Sequence, residues 1–463
     1  MDATTLQQIA QWADGTLNGN HPGQTVTRVC TDSRKLEPGD LFLALRGENF
    51  DGHRFAAQAA ARGAAAVVVE QGFEEEWPPG FPVIRVADTL RALQSVASRY
   101  RASLPLRVVA LTGSTGKTST KDFLAAVLGE KFQVVKTEGN FNNHIGLPLT
   151  MLRASAADRI GVFELGMNHP GEIAPLAAMA APEVGIITNI GTAHLEYMGT
   201  REAIALEKGR LAEALPASGH LVLHAADDFS ESIARRCPAP TVMTGIERGD
   251  MAATLLETGF EGTRFRVRAG DEEAEVSLPV PGLHMVENAL LALAVGRVFG
   301  IPLAQAAEGL AKCHLTKGRL ERKTLAGIDF LDDTYNANPD SMRAALRTLA
   351  VLPVKGARIA VLGRMGELGA ESERGHQSVG REAAQAGIDT VLAVGEEEAG
   401  WIAEAAREAG LKQVHQLDDP EAAALWLCQE ARPGDLVLVK GSRSARMERV
   451  LDHPAFRLSN AIL

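Results

Sequence analysis

Short apolar runs separated by segments of helical spacing recur along most of this chain. Val108-Val109-Ala110-Leu111, Gln133-Val134-Val135, Ile160-Gly161-Val162-Phe163, Val184-Gly185-Ile186-Ile187 and His220-Leu221-Val222-Leu223 read as strands, with helices between them. Strands that are apolar throughout are buried on both faces, so this region predicts a parallel sheet covered by helices. Thr89 is expected to cap the helix that leads in, because Leu90, Leu93, Val96, Ala97 and Tyr100 keep its spacing and Pro105 follows. Polar and apolar residues alternate instead over 254–280, in Arg264-Phe265-Arg266-Val267 and Glu275-Val276-Ser277-Leu278. That alternation predicts a hairpin appendage. Helices over 286–299 and 303–311 close the unit.

The flanks carry their own patterns. Ahead of residue 88, a helix over 6–12, strands at 26–30, 40–45, 66–69 and 82–86, and a helix over 54–62 make a small α/β unit. After Gly318 the alternation restarts, with strands at 328–331, 358–362, 390–394 and 436–439 between Ala-rich helices. This last unit is Rossmann-like, but Gly363-Arg364-Met365-Gly366 does not match G-x-G-x-x-G, so no dinucleotide is implied. The expected fold is α/β in three domains, at 1–87, 88–316 and 317–463. No solenoid repeat or low-complexity tract interrupts them.

Composition narrows the partners. A chain of 463 residues suits about three domains, and 46% apolar with 23% charged residues is ordinary for a globular protein. With 47 basic and 58 acidic residues the net charge is −11, which argues against a nucleic-acid partner. Cys30, Cys237, Cys313 and Cys428 lie far apart with no C-x-x-C, so they read as small buried hydrophobes in a reducing cytosol. The start Met1-Asp2-Ala3-Thr4-Thr5 is acidic, and no run of about 18 apolar residues occurs. A cytoplasmic monomer without a membrane anchor is expected.

The chemistry gathers around Gly113-Ser114-Thr115-Gly116-Lys117-Thr118-Ser119, where a strand runs into a glycine turn and a Lys-Thr pair opens a helix. Glycines let backbone N–H groups converge on phosphate, the helix N-terminus attracts anions, Lys117 adds charge and the Thr118 hydroxyl suits Mg²⁺. Leu111 stands where the eight-residue motif has its first glycine, so the loop is a shortened G-x-x-G-K-T. Ligands of open α/β sheets sit at the carboxyl ends of strands. That rule singles out Glu164, Thr188-Asn189 and Gly191-Thr192-Ala193-His194. A carboxylate ending an apolar strand needs a partner, either a metal or a salt bridge. His194 reads as a helix-cap residue or a ligand, and Lys208 as an ordinary solvated helix lysine.

These blocks, together with several others, resemble the Mur ligase family, most closely its MurF type. The others are Thr31-Asp32-Ser33-Arg34, Asp51-Gly52-His53, Glu138-Gly139-Asn140-Phe141-Asn142-Asn143, Asn288-Ala289-Leu290, Gly318-Arg319-Leu320, Asp332-Asp333-Thr334-Tyr335-Asn336-Ala337-Asn338-Pro339 and Lys440-Gly441-Ser442-Arg443. The shortened phosphate loop is the family's form. The resemblance implies a UDP-binding first domain, a central ATPase domain and a C-terminal ligase domain. It implies that ATP phosphorylates the terminal carboxylate of UDP-N-acetylmuramoyl-tripeptide and that the amine of D-alanyl-D-alanine attacks the acyl phosphate. Lys117 would hold phosphates, and two Mg²⁺ would lie among Thr118, Glu164, His194 and a carbamylated Lys208. Asn288 and Asn336 would meet adenine, and Arg319 and Asp333 the phosphates and ribose. Ser33, Asp51 and His53 would hold the UDP sugar, although Asp51 and His53 also read as a capped turn. Asn140, Asn142 and Asn143 would line the muramoyl path. Asn336, Asn338, Leu368, Lys440, Ser442 and Arg443 would approach the peptide carboxylate and the dipeptide, with Arg443 equally readable as a solvated last-turn arginine.

Three departures from the family pattern stand out: His144 in place of an acid, Arg364 in place of Asp, and Leu315-Thr316-Lys317 in place of a proline-containing approach to Gly318. Three rival readings remain. They are a sister ligase adding a single amino acid, a folylpolyglutamate synthase, and a nucleotide-gated binding protein that holds ATP without transfer. The Thr31 to Arg34 block argues against the synthase, and the joint presence of Glu164, His194 and Lys208 argues against the switch.

Overall fold

The computed structural model describes residues 1–19, 21–47 and 50–458. Three sheets follow one another along the chain. The first has five strands in the order Thr16–Asn18, Val83–Val86, Ala66–Glu70, Leu41–Leu43 and Val29–Cys30, parallel except at the Thr16–Asn18 edge. The expected strand over 26–30 divides in two. Thr25–Val26 pairs with Thr4–Thr5, while Val29–Cys30 joins the sheet. At the break Arg28 turns to Asp40, with Nε and Nη2 at 2.7 and 2.6 Å from the carboxylate oxygens.

The helix Thr89–Ser103 joins the first unit to the second. Its N-cap is Asp88, which accepts from Arg91 N–H at 3.0 Å, and Thr89 is the first helical residue, buried. The expectation that Thr89 caps the helix is therefore corrected by one position: the acidic side chain is the better acceptor for orphan N–H groups. Leu93, Val96, Ala97 and Tyr100 pack into a core that continues from the first sheet into Ala110, Phe163 and Ile187 of the second. Tyr100 fastens the junction, with Oη accepting from Asp2 N–H and donating to Ala154 O, both at 2.7 Å.

The second sheet has nine strands in the order Val134–Lys136, Ile160–Glu164, Arg107–Thr112, Val184–Ile187, His220–His224, Thr241–Ile246, Met251–Gly259, Gly262–Ala269 and Glu272–Leu278. The first seven are parallel and the last two antiparallel. The alternating stretch is thus a meander that extends the main sheet, which corrects the reading of a separate hairpin. Its inward residues Phe265, Val267, Val276 and Leu278 are buried against the helices Leu283–Val298 and Leu303–Ala311, and its outward face is charged.

The third sheet has six strands in the order Glu321–Leu325, Ile328–Asp333, Leu436–Lys440, Arg358–Gly363, Thr390–Val394 and Gln413–Leu417, with only the first antiparallel. The connection between the second and third sheets is latched to the phosphate-loop helix Lys117–Gly129. Asp122 Oδ2 accepts from Thr316 N–H at 2.8 Å and from its hydroxyl at 2.7 Å, while Oδ1 takes Lys136 Nζ at 2.6 Å. A proline at 316 could donate neither bond. No helix of the described residues is long and apolar enough to cross a membrane, and all four cysteines are free.

Candidate active site

The carboxyl ends of the second and third sheets face one cleft of about 1170 Å³, lined by the phosphate loop, Asn140, Asn142, Asn143, Glu164, His194, Asn288, Arg319, Asp333 and Lys440 among others. The loop needs its glycines. Gly116 has φ +79°, and a Cβ there would lie 2.5 Å from Asn288 Oδ1; Gly113 has φ +150°, and a Cβ there would lie 1.8 Å from Thr188 Oγ1. Thr188 Oγ1 donates to Thr115 O at 2.5 Å, Asn189 Oδ1 accepts from Thr115 N–H at 2.9 Å, and Ser114 Oγ accepts from Gly191 N–H at 2.9 Å. The loop is therefore held from behind by the segment after Val184–Ile187. Lys117 Nζ donates to Gly113 O at 2.6 Å. Burial lowers the Lys117 pKa, with Arg319 acting the same way and Glu164 and Glu367 opposing.

Glu164 ends its strand buried beside the loop. Its Oε1 accepts from Asn142 Nδ2 at 2.9 Å, and Thr118 Oγ1 lies 3.4 Å from Oε2. Arg319, from the start of the third unit, donates through Nη2 to Thr118 Oγ1 at 3.2 Å and lies 4.2 Å over the Tyr335 ring. A chain of polar groups thus runs from the third unit through the loop hydroxyl to the strand-end carboxylate. Among the described residues no three His, Cys, Asp or Glu side chains form a ready metal cage. Mg²⁺ asks for little of that kind when phosphate oxygens complete its octahedron. A buried carboxylate beside a threonine hydroxyl at the phosphate loop is a hard-oxygen set that fits such an ion.

Lys208 is the reading the fold most changes. It lies on the helix Arg201–Glu213 and is 1% exposed, so it is not a solvated lysine. Burial drives its pKa well below the ordinary value, Lys117 adds repulsion, and Glu207 and Glu164 oppose. An amine in that setting gives up its proton more readily than a solvated lysine. Most of its helix is covered, with Ile204, Ala205, Glu207, Leu211 and Ala212 buried too, and a narrow stripe at Glu202, Leu206 and Arg210 stays exposed. His194 precedes the helix Leu195–Met198 with φ +64° and without a side-chain cap bond. Its Nδ1 lies 2.6 Å from Glu367 Oε2 but out of line for a hydrogen bond. Burial lowers the His194 pKa, Glu367 raises it, and Lys117 and Lys208 lower it.

The remaining candidates divide. Lys440 is buried and donates to Asp333 Oδ2 at 2.5 Å and Asn336 O at 3.1 Å, so its charge is already answered by the fold. Burial lowers its pKa against the pull of Asp333. Asn336 Oδ1 accepts from Ala337 N–H at 2.9 Å. Asn338 forms the capping box of the helix Pro339–Val351 with Ser341. Ser442 N–H donates to Arg364 O at 2.9 Å, which ties the loops after two adjacent strands. Arg443 lines the cleft with its side chain 72% exposed and 3.3 Å from Glu448, so it has both the solvated character and the position of a clamp. His144 and Arg364 line the same cleft.

Two expectations are corrected. Leu368 is buried in the core and packs at Gly375, so its side chain does not reach the cleft; the apolar side chain goes inward and its neighbour Glu367 faces the site. His53 is buried with Nδ1 2.7 Å from Asp51 Oδ1 and Nε2 accepting from Glu70 N–H at 3.0 Å, which leaves no ring nitrogen for a ligand. Asp51 caps the turn Gly52–Phe55, as the alternative reading of that block had it. Ser33 begins a short 3₁₀ turn capped by Asp32. None of Ser33, Asp51 and His53 lines the cleft. Residues the sequence reading passed over include Glu367, Asp340 and Tyr335. Asp340 Oδ2 accepts from Thr192 N–H at 2.7 Å and Oγ1 at 2.9 Å, docking the third unit on the loop before His194. The strand-end rule could have found Glu367, which follows Arg358–Gly363.

Comparison with known proteins identifies the family of the chain and its fold. Residues 25–101 match the profile described as Mur ligase family, catalytic domain, residues 111–296 the Mur ligase middle domain, and residues 318–443 the Mur ligase, glutamate ligase domain. The chain is 40% identical over 450 residues to the UDP-N-acetylmuramoyl-tripeptide–D-alanyl-D-alanine ligase of Bacillus subtilis, covering 96% of this chain and 97% of that protein. It is 39% identical over 456 residues to the ligase of the same name from Escherichia coli, covering 97% and 98%. Among solved structures, MurF from Acinetobacter baumannii superposes with a TM-score of 0.89 at 34% identity, covering 98% of this chain and 99% of that one. MurF from Thermotoga maritima in complex with ADP gives 0.84 at 31%, covering 95% and 99%.

Proposed function

We infer that this chain, which belongs to the Mur ligase family and is an ATP-dependent ligase of peptidoglycan precursor synthesis, joins UDP-N-acetylmuramoyl-tripeptide to D-alanyl-D-alanine. The observation that carries the reading is the convergence of the phosphate loop, Glu164 and Arg319 with the amide-rich wall Asn140, Asn142 and Asn143 in one cleft. A carboxylate attacking a triphosphate brings two anions together, so the site must supply positive charge and exclude water. Lys117, the loop N–H groups and Arg319 supply that charge. The peptide carboxylate oxygen takes the γ-phosphoryl group and ADP leaves. The dipeptide amine then adds to the acyl phosphate, loses a proton, and phosphate departs from the tetrahedral centre as the amide forms.

Thr118 and Glu164 would hold one Mg²⁺, and Glu164, His194 and Lys208 a second; bound there, the ions neutralise phosphate oxygens. Lys208 suits a carbamate, because a neutral amine adds CO₂ and releases a proton, turning a cation into an oxygen ligand. Asn288, Asn336 and Asp333 belong to the nucleotide side, and Ser442, Arg443 and the main chain near Asn338 to the peptide side. Ser33 and Asp51 remain the contacts for the UDP sugar. Domain limits at 87/88 and 316/317 and a cytoplasmic monomer complete the reading.

The test is phosphate release measured with substrates supplied in pairs. Release should require the UDP-tripeptide, and peptide product should require D-alanyl-D-alanine. Turnover on a UDP-dipeptide with a free diamino acid, and none with the dipeptide, would assign a sister ligase instead.

A further inference from the structure

Across the boundary between the second and third units, two non-glycine residues with left-handed backbones meet. His194 has φ +64° and Glu367 φ +61°. Such backbones are costly for residues with side chains and persist where the surroundings fix them, often at functional sites. The carboxylate Oε2 of Glu367 lies 2.6 Å from Nδ1 of His194. The two loops are also tied by main chain, with Glu196 N–H donating to Glu367 O at 3.4 Å, and the docking is reinforced by Asp340 on Thr192. Close approach is built in: a Cβ at Gly191 would lie 2.3 Å from Asp340 Oδ2, and one at Gly369 3.0 Å from Glu196 Cγ. No described group bonds Nε2 of His194, and the residue lines the cleft.

We propose that Glu367 is the positioning residue for His194: by facing Nδ1 from the third unit, it presents the Nε2 lone pair to the metal side of the cleft only while the two units are docked. A carboxylate behind a ligating histidine fixes tautomer and ring direction, and its loss typically lowers metal affinity about 10–100-fold. Here the carboxylate comes from a different unit than the ring, so completing the ligand set and closing the cleft become one event. The inference rests on the reading of His194 as a Mg²⁺ ligand.

Mn²⁺ titration of the full chain with a non-hydrolysable ATP analogue, followed by electron paramagnetic resonance, tests it without turnover. Glu367→Ala should weaken one Mn²⁺ site about 10–100-fold. His194→Ala should weaken the same site, and the double variant should lose no more than His194→Ala alone. Glu367→Gln, whose carbonyl oxygen can take the place of Oε2 facing Nδ1, should recover most of the affinity, which a mere loss of shape would not allow. Loss in His194→Ala with unchanged binding in Glu367→Ala, or additive losses, would overturn the positioning role. Unchanged binding in His194→Ala would overturn the ligand reading and the proposal with it.

Discussion

Removing the Asp122 carboxylate should unlatch the connection between the second and third units. Its side chain is 2% exposed and holds Lys136 on one oxygen and two donors of Thr316 on the other. Taking one partner from a buried charged pair costs about 3–5 kcal/mol. Lys136 is 37% exposed and can turn to water, which places Asp122→Ala at the lower end, about 3 kcal/mol. At about 1.4 kcal/mol per factor of ten, the locally open form rises about 10²-fold. Thr316→Val loses only the hydroxyl bond to the carboxylate, about 1.5 kcal/mol or about tenfold. A three-unit protein does not unfold in one step, so a local readout serves better than a global melt. Lys312, Lys317 and Arg319 flank the latch as tryptic sites. When reclosing outpaces cleavage, the rate of cutting follows the open population. Cutting at these sites should accelerate by about 10²-fold in Asp122→Ala and about tenfold in Thr316→Val. A rate within about twofold of the unaltered protein in Asp122→Ala would show that the latch adds nothing to the local stability.

Two further outcomes follow from the buried groups. Lys208→Ala should abolish turnover, since neither a carbamate nor an amine remains, and short carboxylic acids such as acetate should restore a part by entering the space left behind; near-normal activity without them would remove Lys208 from the site. His224 is buried and its pKa is pushed down to about 4, chiefly by loss of water. The folded state therefore binds the proton later than the unfolded chain, so stability is full above the unfolded value of about 6.5 and falls as pH drops from there toward about 4. The single-site difference is about 3 kcal/mol. The midpoint of the transition that unfolds the second unit, followed between pH 7 and 5, should fall less steeply in His224→Asn than in the unaltered protein, and parallel slopes would contradict the assignment.

What could be read from the chain was set by local chemistry. The strand before Gly113, the loop and Glu164 were legible because apolar runs, glycines and a lone strand-end acid are one-dimensional signals. Strands Thr16–Asn18, Glu321–Leu325 and Gln413–Leu417 escaped because each lies at a sheet edge with mostly polar or half-exposed residues, so no apolar run marks it. Thr241–Ile246 escaped although interior, since three of its residues are only partly covered before Thr244 and Gly245 are buried. Lys208 gave no sign because its burial comes from the packing of its helix against neighbouring elements, a tertiary fact. Asp340 and Glu367 meet Thr192 and His194, 148 or more positions away, and those contacts are encoded by no local pattern even where the strand-end rule points to Glu367. His53 shows the converse: its neighbourhood with Asp51 was visible, but the Glu70 N–H that occupies its second nitrogen was not.

The most direct measurement of the reaction follows the oxygen atoms. With UDP-N-acetylmuramoyl-tripeptide labelled with ¹⁸O in its terminal carboxylate, transfer of the γ-phosphoryl group to that carboxylate predicts one labelled oxygen in the released phosphate and the other in the new amide. Phosphate without label, in a reaction that still forms the peptide bond and consumes ATP, would contradict an acyl phosphate in this cleft.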